Sequence, residues 1–345
     1  MQQIIRQTVQ DLTGVPSTAI IIKERPRLSY QSSNLYDVKF GESHWIAKEF
    51  VKADEFTESP AREYNALKLL QPYDIAPVPI AFLPYPVYEH PVVLYEFMES
   101  EMWDRRKPSA QELTTLADSW LTTYQATRDG LWKSRLFADD SVLNNVQRYR
   151  VNFKFYQEWA ETYFPEGLIH AKRADALFDE HADVIQALHD APVTHLFSRS
   201  DPRFANIIAR PDGRVGFVDW EDSGFRSPMR TIAGLLFHPN QEDLLTSQEW
   251  QAFLCPLMEN YPIKTDDIRA ILRGYQAIIP IAWMSFILAM GVRRAQSGNN
   301  DTWLVNTMNP NQRFRRYLAH ALNWDDDNFE AHLRKCDGIR FFPES

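Results

Sequence analysis

The sequence predicts an α+β fold. A small mixed lobe spans residues 1–98, and a larger, mainly helical lobe spans residues 99–345. Three observations carry this. The first 98 residues alternate short strands and turns around one helix. From Ser109 onward apolar residues recur at helical spacing, as in Leu113, Leu116 and Leu121, or Val184 and Leu188. A single strand-turn-strand segment near residue 210 interrupts the helical part.

Taken in chain order, Trp45-Ile46-Ala47-Lys48-Glu49-Phe50 reads as a strand, with Lys48 on the face of Ile46 and Phe50. A lysine on an apolar face needs a counter-charge or a ligand. The next helix is expected to begin with Ser59 as N-cap and Pro60 at its first position. Helical spacing then puts Glu63 on one stripe with Ala66, Leu67 and Leu70. A half-buried lysine and a half-buried glutamate on consecutive elements are expected to pair, whether for structure alone or for chemistry.

Farther along, Asn206 to Ala209 and Val215 to Val218 form two short apolar runs around Pro211-Asp212-Gly213, a strong turn signal. Pairing them as a hairpin brings Asn206, at the start of the first strand, beside Asp219, at the end of the second. Their oxygens suit a hard cation such as Mg2+. Asp201 lies five residues before Asn206. An Asp, an Asn and a second Asp in this layout fit phosphoryl transfer: one carboxylate receives a hydroxyl, while the amide and second carboxylate hold metal on nucleotide phosphates. An ordinary surface hairpin with polar ends is the alternative. Arg203 could neutralise charge on a transferring phosphate or be a solvated surface arginine. The apolar run Ala277 to Val292, interrupted by Pro280 and Gly291, reads as a buried helix too short to span a bilayer.

Composition narrows the partners. The formal charge is −9, which argues against a nucleic-acid backbone and favours a cationic substrate. The two cysteines, Cys255 and Cys336, are far apart and lack metal-ligand spacing. With an N-terminus too polar for a secretory signal, the expectation is a cytoplasmic protein without a membrane partner.

These residues resemble the aminoglycoside/choline kinase-type small-molecule phosphotransferases, a branch of the protein-kinase-like fold, from about Ser29 to about Leu235. The resemblance implies an antiparallel sheet in the small lobe and a hinge after Pro91 to Met98, where the Glu96 C=O and Met98 N–H would meet adenine. It places Ser32, Ser33 and Asn34 in the phosphate-covering loop, where the family usually has glycines. Lys48 matches the phosphate-contacting lysine and Glu63 its helix partner. Asp201 matches the catalytic aspartate, Asn206 and Asp219 the metal ligands, and Glu221 an acidic residue that helps hold the metal. Arg199-Ser200 stands where the family usually has His-Gly before the aspartate; that histidine braces the loop.

The implied function is Mg2+-assisted transfer from ATP or GTP to a hydroxyl of a small molecule, an amine-bearing metabolite or an aminoglycoside-like compound. A catalytically weak nucleotide-binding module acting through a partner is the second reading. A protein kinase is the third, and Arg226-Ser227-Pro228-Met229 lacks the Ala-Pro-Glu-like anchor it needs.

Overall fold

The computed structural model describes residues 1–26, 33–51, 58–84, 87–99, 101–103, 106–125, 141–191, 196–199, 201–261, 265–298, 310–322, 334 and 339. They belong to two compact units: Met1–Leu136 with Phe204–Gly224, and Phe137–Arg203 with Phe225–Ser345. These boundaries differ from a division at residue 98, because the hairpin after Asp201 packs with the N-terminal elements.

The first unit begins with helix α1 (Gln2–Thr13), followed by strands β1 (Ile21–Glu24), β2 (Ser33–Phe40) and β3 (Ser43–Phe50). Helix α2 (Ser59–Leu70), strands β4 (Pro79–Leu83), β5 (Val92–Glu96) and β6 (Glu101–Met102), and helix α3 (Ala110–Gln125) complete its N-terminal part. Five strands form one antiparallel sheet in the order β1-β2-β3-β5-β4. A two-residue turn joins β2 to β3, with Gly41 at φ 53°, a conformation that costs glycine least.

The sheet's two faces separate two environments. Ile5 and Val9 of α1 share a core with Tyr36, Val38, Ala47, Val92 and Leu94. Period-two alternation turns Ile46, Lys48 and Phe50 to the other face. Helix α2 begins at Ser59, one residue earlier than expected, with Glu58 in the cap position. The Arg62 N–H donates to the Glu58 C=O at 2.9 Å, so the first turn spans Pro60 and starts from Glu58.

Helix α3 opens with a reciprocal cap. The Glu112 N–H donates to Ser109 Oγ, and Glu112 Oε2 accepts from the Ser109 N–H. Arg106 also grips the Glu112 carboxylate, at 2.5 Å. The Arg106 hydrogen bond, helped by Ser109 and only partly opposed by burial, holds the Glu112 pKa down at about 2. Its stabilisation is therefore present above the ordinary value of 4.5 and fades as pH falls toward 2. Glu112→Gln should cost about 1–2 kcal/mol at neutral pH and flatten stability below pH 4.5, as read by urea denaturation.

In the second unit, helices α4 (Val142–Tyr163), α5 (Leu168–Glu180) and α6 (Ala182–Asp190) precede strand β7 (Leu196–Arg199). The chain then returns to the first unit for β8 (Ile207–Ala209) and β9 (Val215–Phe217). These two strands pair in antiparallel register, and β8 also pairs with β6. Ser119 Oγ of α3 donates to the Val215 C=O at 2.6 Å, and the Phe217 N–H donates to the Ile75 C=O at 2.8 Å. Trp103 meets Phe204, and Trp120 meets Phe217, both edge to face.

Strand β10 (Ser223–Arg226) leads into helices α7 (Pro228–Leu236), α8 (Ser247–Glu259), α9 (Thr265–Ser297) and α10 (Pro310–Leu322). The expected short apolar helix is part of α9, which runs 33 residues through Pro280. Its Ile268–Ser297 stretch is long and apolar enough to cross a membrane, yet 72% of the most apolar window is buried. Neighbours α4, α5, α7 and α10 supply the packing. A Cβ on Gly274 would sit 3.0 Å from Leu188, so glycine permits the close approach of α9 to α6.

Candidate active site

In the first unit, three carboxylates surround one buried ammonium. Lys48 Nζ lies 2.7 Å from Glu63 Oε2, 2.5 Å from Asp219 Oδ1 and 2.9 Å from Glu221 Oε2. The Lys48–Glu63 pair is the one expected from the two apolar stripes. The contacts to Asp219 and Glu221 were not legible in the sequence, since they join residues about 170 positions apart. The Phe50 ring adds a cation–π contact, 4.8 Å from Nζ to its centroid.

Charge accounts for the behaviour of the cluster. Burial alone would lower the Lys48 pKa, but the charges of Asp219, Glu63 and Glu221 outweigh it and hold the ammonium well above its usual range. Glu63 is pushed upward chiefly by burial, with Asp219 and Glu221 adding repulsion that Lys48 only partly offsets. Burial raises Glu221 too, and Asp219 and Asp222 add to it. One positive charge thus faces more negative charge than it can balance. Oxygens of Glu63, Asp219 and Glu221 lie within 4.8 Å of one another. An oxygen-rich, over-charged donor set of this kind fits a hard divalent cation.

The hairpin sets two of the proposed ligands. The Asn206 C=O accepts from the Val218 N–H at 3.1 Å, so Asn206 and Asp219 stand at the same end, as expected. Two details differ from the expectation. Asn206 closes a 3-10 turn at Phe204–Asn206 and does not open the strand, and β9 ends at Phe217 instead of Val218. The cause is local: Asp219 has φ 64°, which takes the backbone out of the ladder. Aspartate is among the few L residues that tolerate this region. Such a conformation beside a charge cluster marks a backbone held for its side chain.

The phosphate-loop residues are only partly within view. Ser32 lies outside the described residues. Ser33 opens β2 opposite Phe50, and Asn34 Nδ2 donates to Glu49 Oε2 at 2.8 Å. Tyr36 and His90 also bind the buried Glu49 carboxylate. Glu96 is the exposed last residue of β5, with its N–H donated to the Val78 C=O at 2.9 Å, and Met98 is half-buried beyond it.

In the second unit, Asp201 is met by an arginine and a histidine. Arg203 Nε lies 3.0 Å from Asp201 Oδ2, and His238 Nε2 lies 3.2 Å from Oδ1. Burial opposes the charge on Asp201. The His238 hydrogen bond and the charges of Arg203 and Arg199 outweigh it and hold the carboxyl well below its usual range. Arg199, standing where a histidine was expected on family grounds, is buried in β7. His238 went unnoticed in the sequence, because a single histidine just past a helix end carries no pattern.

The chain matches the profile of a family described as "Phosphotransferase enzyme family" over residues 25–262. A comparison with curated proteins gave no match. Among solved structures, a choline kinase from Streptococcus pneumoniae superposes with a TM-score of 0.62 at 17% identity, over 94% of this chain and 99% of that one. A choline/ethanolamine kinase family protein from Mesorhizobium loti gives 0.61 at 14% identity, over 97% and 98%. A spectinomycin phosphotransferase, solved with ADP and spectinomycin, gives 0.59 at 12% identity, again over 97% and 98%.

Proposed function

The chain belongs to the phosphotransferase enzyme family, and from that premise we propose that it is a small-molecule kinase, moving the γ-phosphoryl group of ATP or GTP to a hydroxyl of an amine-bearing acceptor. The observation that carries the reading is Lys48, buried on the sheet face and held by Glu63, Asp219 and Glu221. A lysine clamped in this way is a fixed point charge for nucleotide phosphates.

Each residue then has a role. Glu63 orients Lys48. Asp219, Glu221 and the Asn206 amide oxygen would hold Mg2+, which when bound neutralises charge on the phosphates. Ser33 and Asn34, with Ser32, would offer backbone N–H groups to the phosphates, since the Asn34 side chain is engaged by Glu49. Backbone groups of Glu96 and Met98 would meet the base. Asp201 would align the acceptor hydroxyl and take its proton. A carboxylate held so far below the usual range is a weak base, so alignment is the larger part of its task. Arg203, paired with Asp201, would add positive charge beside the reacting group.

Support for the acceptor class comes from the formal charge of −9 and from neighbours whose names specify choline, ethanolamine or spectinomycin. A thermal-shift titration tests the nucleotide site. Mg-ATP or Mg-GTP should raise the Tm of the wild type saturably, and Asp219→Asn should abolish the magnesium-dependent part. Asparagine also tolerates the left-handed backbone at 219, so the loss would report the carboxylate and not the fold. A screen of amines and aminoglycosides would then seek turnover. Stabilisation by nucleotide with no turnover on any acceptor, and no slow hydrolysis of Mg-ATP, would favour the nucleotide-binding module.

A further inference from the structure

The segment just after α7 grips the Asp201 loop at two points. His238 Nε2 reaches Asp201 Oδ1 at 3.2 Å. Gln241, fully buried, donates from Nε2 to the Pro202 C=O at 3.2 Å and to the Leu235 C=O at 2.8 Å. Gln241 therefore ties the residue after Asp201 to the end of α7. The segment is itself anchored, since Tyr317 Oη donates to the Phe237 C=O at 2.9 Å.

The tautomer of His238 follows from its other nitrogen. The Asn240 N–H donates to His238 Nδ1 at 3.2 Å, so Nδ1 is the acceptor. In the neutral ring the proton then sits on Nε2, the atom that faces Asp201. Burial lowers the ring's pKa despite the nearby carboxylate, and Arg203 and Arg313 add to the effect. Trp283 packs edge-on against the imidazole, with centroids 4.9 Å apart. The ring is thus held in one place and one orientation.

We propose that His238 is a positioning residue for Asp201, an Nε2–H donor that fixes the carboxylate from the end of α7, with Gln241 as its backbone counterpart on Pro202. Arg199 occupies the place where a histidine was expected and contributes charge from β7, whereas His238 contributes direction. The inference rests on the proposed role of Asp201 for its kinetic consequence, though not for the contact itself. Among the described residues, the charged and titratable groups facing Asp201 include Arg203, Arg199 and His238, and those facing His238 include Asp201, Arg203 and Arg313.

The test uses the full chain and the variants His238→Ala and His238→Gln. Aspartate carboxyl 13C titration, with the Asp201 signal assigned by Asp201→Asn, should show an upward shift of about one pH unit in His238→Ala. His238→Gln, whose amide can place a donor near the lost Nε2, should recover part of that shift. Turnover of Mg-ATP should fall about 10–30-fold in kcat for His238→Ala with nucleotide KM within about twofold, the split expected when a proton acceptor loses its alignment. A purely structural histidine would lower Tm and leave both the Asp201 titration and the kcat-against-KM split unmoved. An unshifted Asp201 in folded His238→Ala overturns the proposal. If that variant does not fold, imidazole 15N shifts of the wild type decide: a proton on Nδ1 overturns it, and a proton on Nε2 supports it. If the wild type transfers no phosphate, the kinase reading fails, and the carboxyl titration still decides this one.

Discussion

Asp201→Asn should slow phosphoryl transfer by about 10²–10⁴-fold while leaving nucleotide binding within about twofold. The substitution keeps the shape and removes the charge and the proton acceptor. The amide can still meet His238 and Arg203 in part, so the loop should remain folded and the loss should appear in kcat. Single-turnover kinetics with a saturating acceptor separates this outcome from weakened binding. Wild-type turnover in Asp201→Asn would remove Asp201 from the chemistry and leave its ion pairs as structure alone.

The second large effect is expected at Lys48. Lys48→Met fills similar volume yet leaves Glu63, Asp219 and Glu221 facing one another without their shared cation. Breaking a buried pair in this way costs about 3–5 kcal/mol, and loss of the phosphate contact should lower kcat/KM by about 10²–10³-fold. The stability loss should depend on pH. A carboxyl whose folded pKa lies above its unfolded value favours the fold when protonated, and without Lys48 the upward shift of Glu63 grows. The variant should therefore lose stability progressively as pH rises from about 4.5, the ordinary glutamate value. Tm measured across pH 4–8 checks the sign. A loss no steeper than that of the wild type, whose Glu63 is already raised, would mean that the carboxylates are solvated and the cluster is not the tight site described.

Local chemistry accounts for what was legible beforehand. Lys48 and Glu63 betrayed themselves because each is a charge set on an apolar stripe, and the structure pairs them at 2.7 Å. The Pro211-Asp212-Gly213 turn announced the hairpin, and Gly213 adopts φ 83° there. Long-range geometry was not legible. Nothing local to Asp219 says that it meets Lys48, or that its backbone takes a positive φ and ends β9 early. His238 acts on Asp201 across 37 residues of chain, and its partner atoms are set by helix packing and one backbone N–H. The start of α2 was misjudged by one residue for a similar reason: Ser59 and Pro60 looked like cap and first turn, but hydrogen bonding from Arg62 draws Glu58 into the cap.

The path of the chain between its two units has a consequence for biogenesis. Residues 137–203 intervene before β8 and β9 complete the first unit. A nascent chain that has reached Leu136 carries Trp103 and Trp120 without Phe204 and Phe217, the rings that cover them. At about 5–20 residues per second, those tryptophans wait several seconds for their partners. The first unit therefore cannot mature until Gly224 has been made, with residues 137–203 of the second unit already synthesised, and the ribosome-bound intermediate is the stage at which a chaperone would find apolar surface to hold.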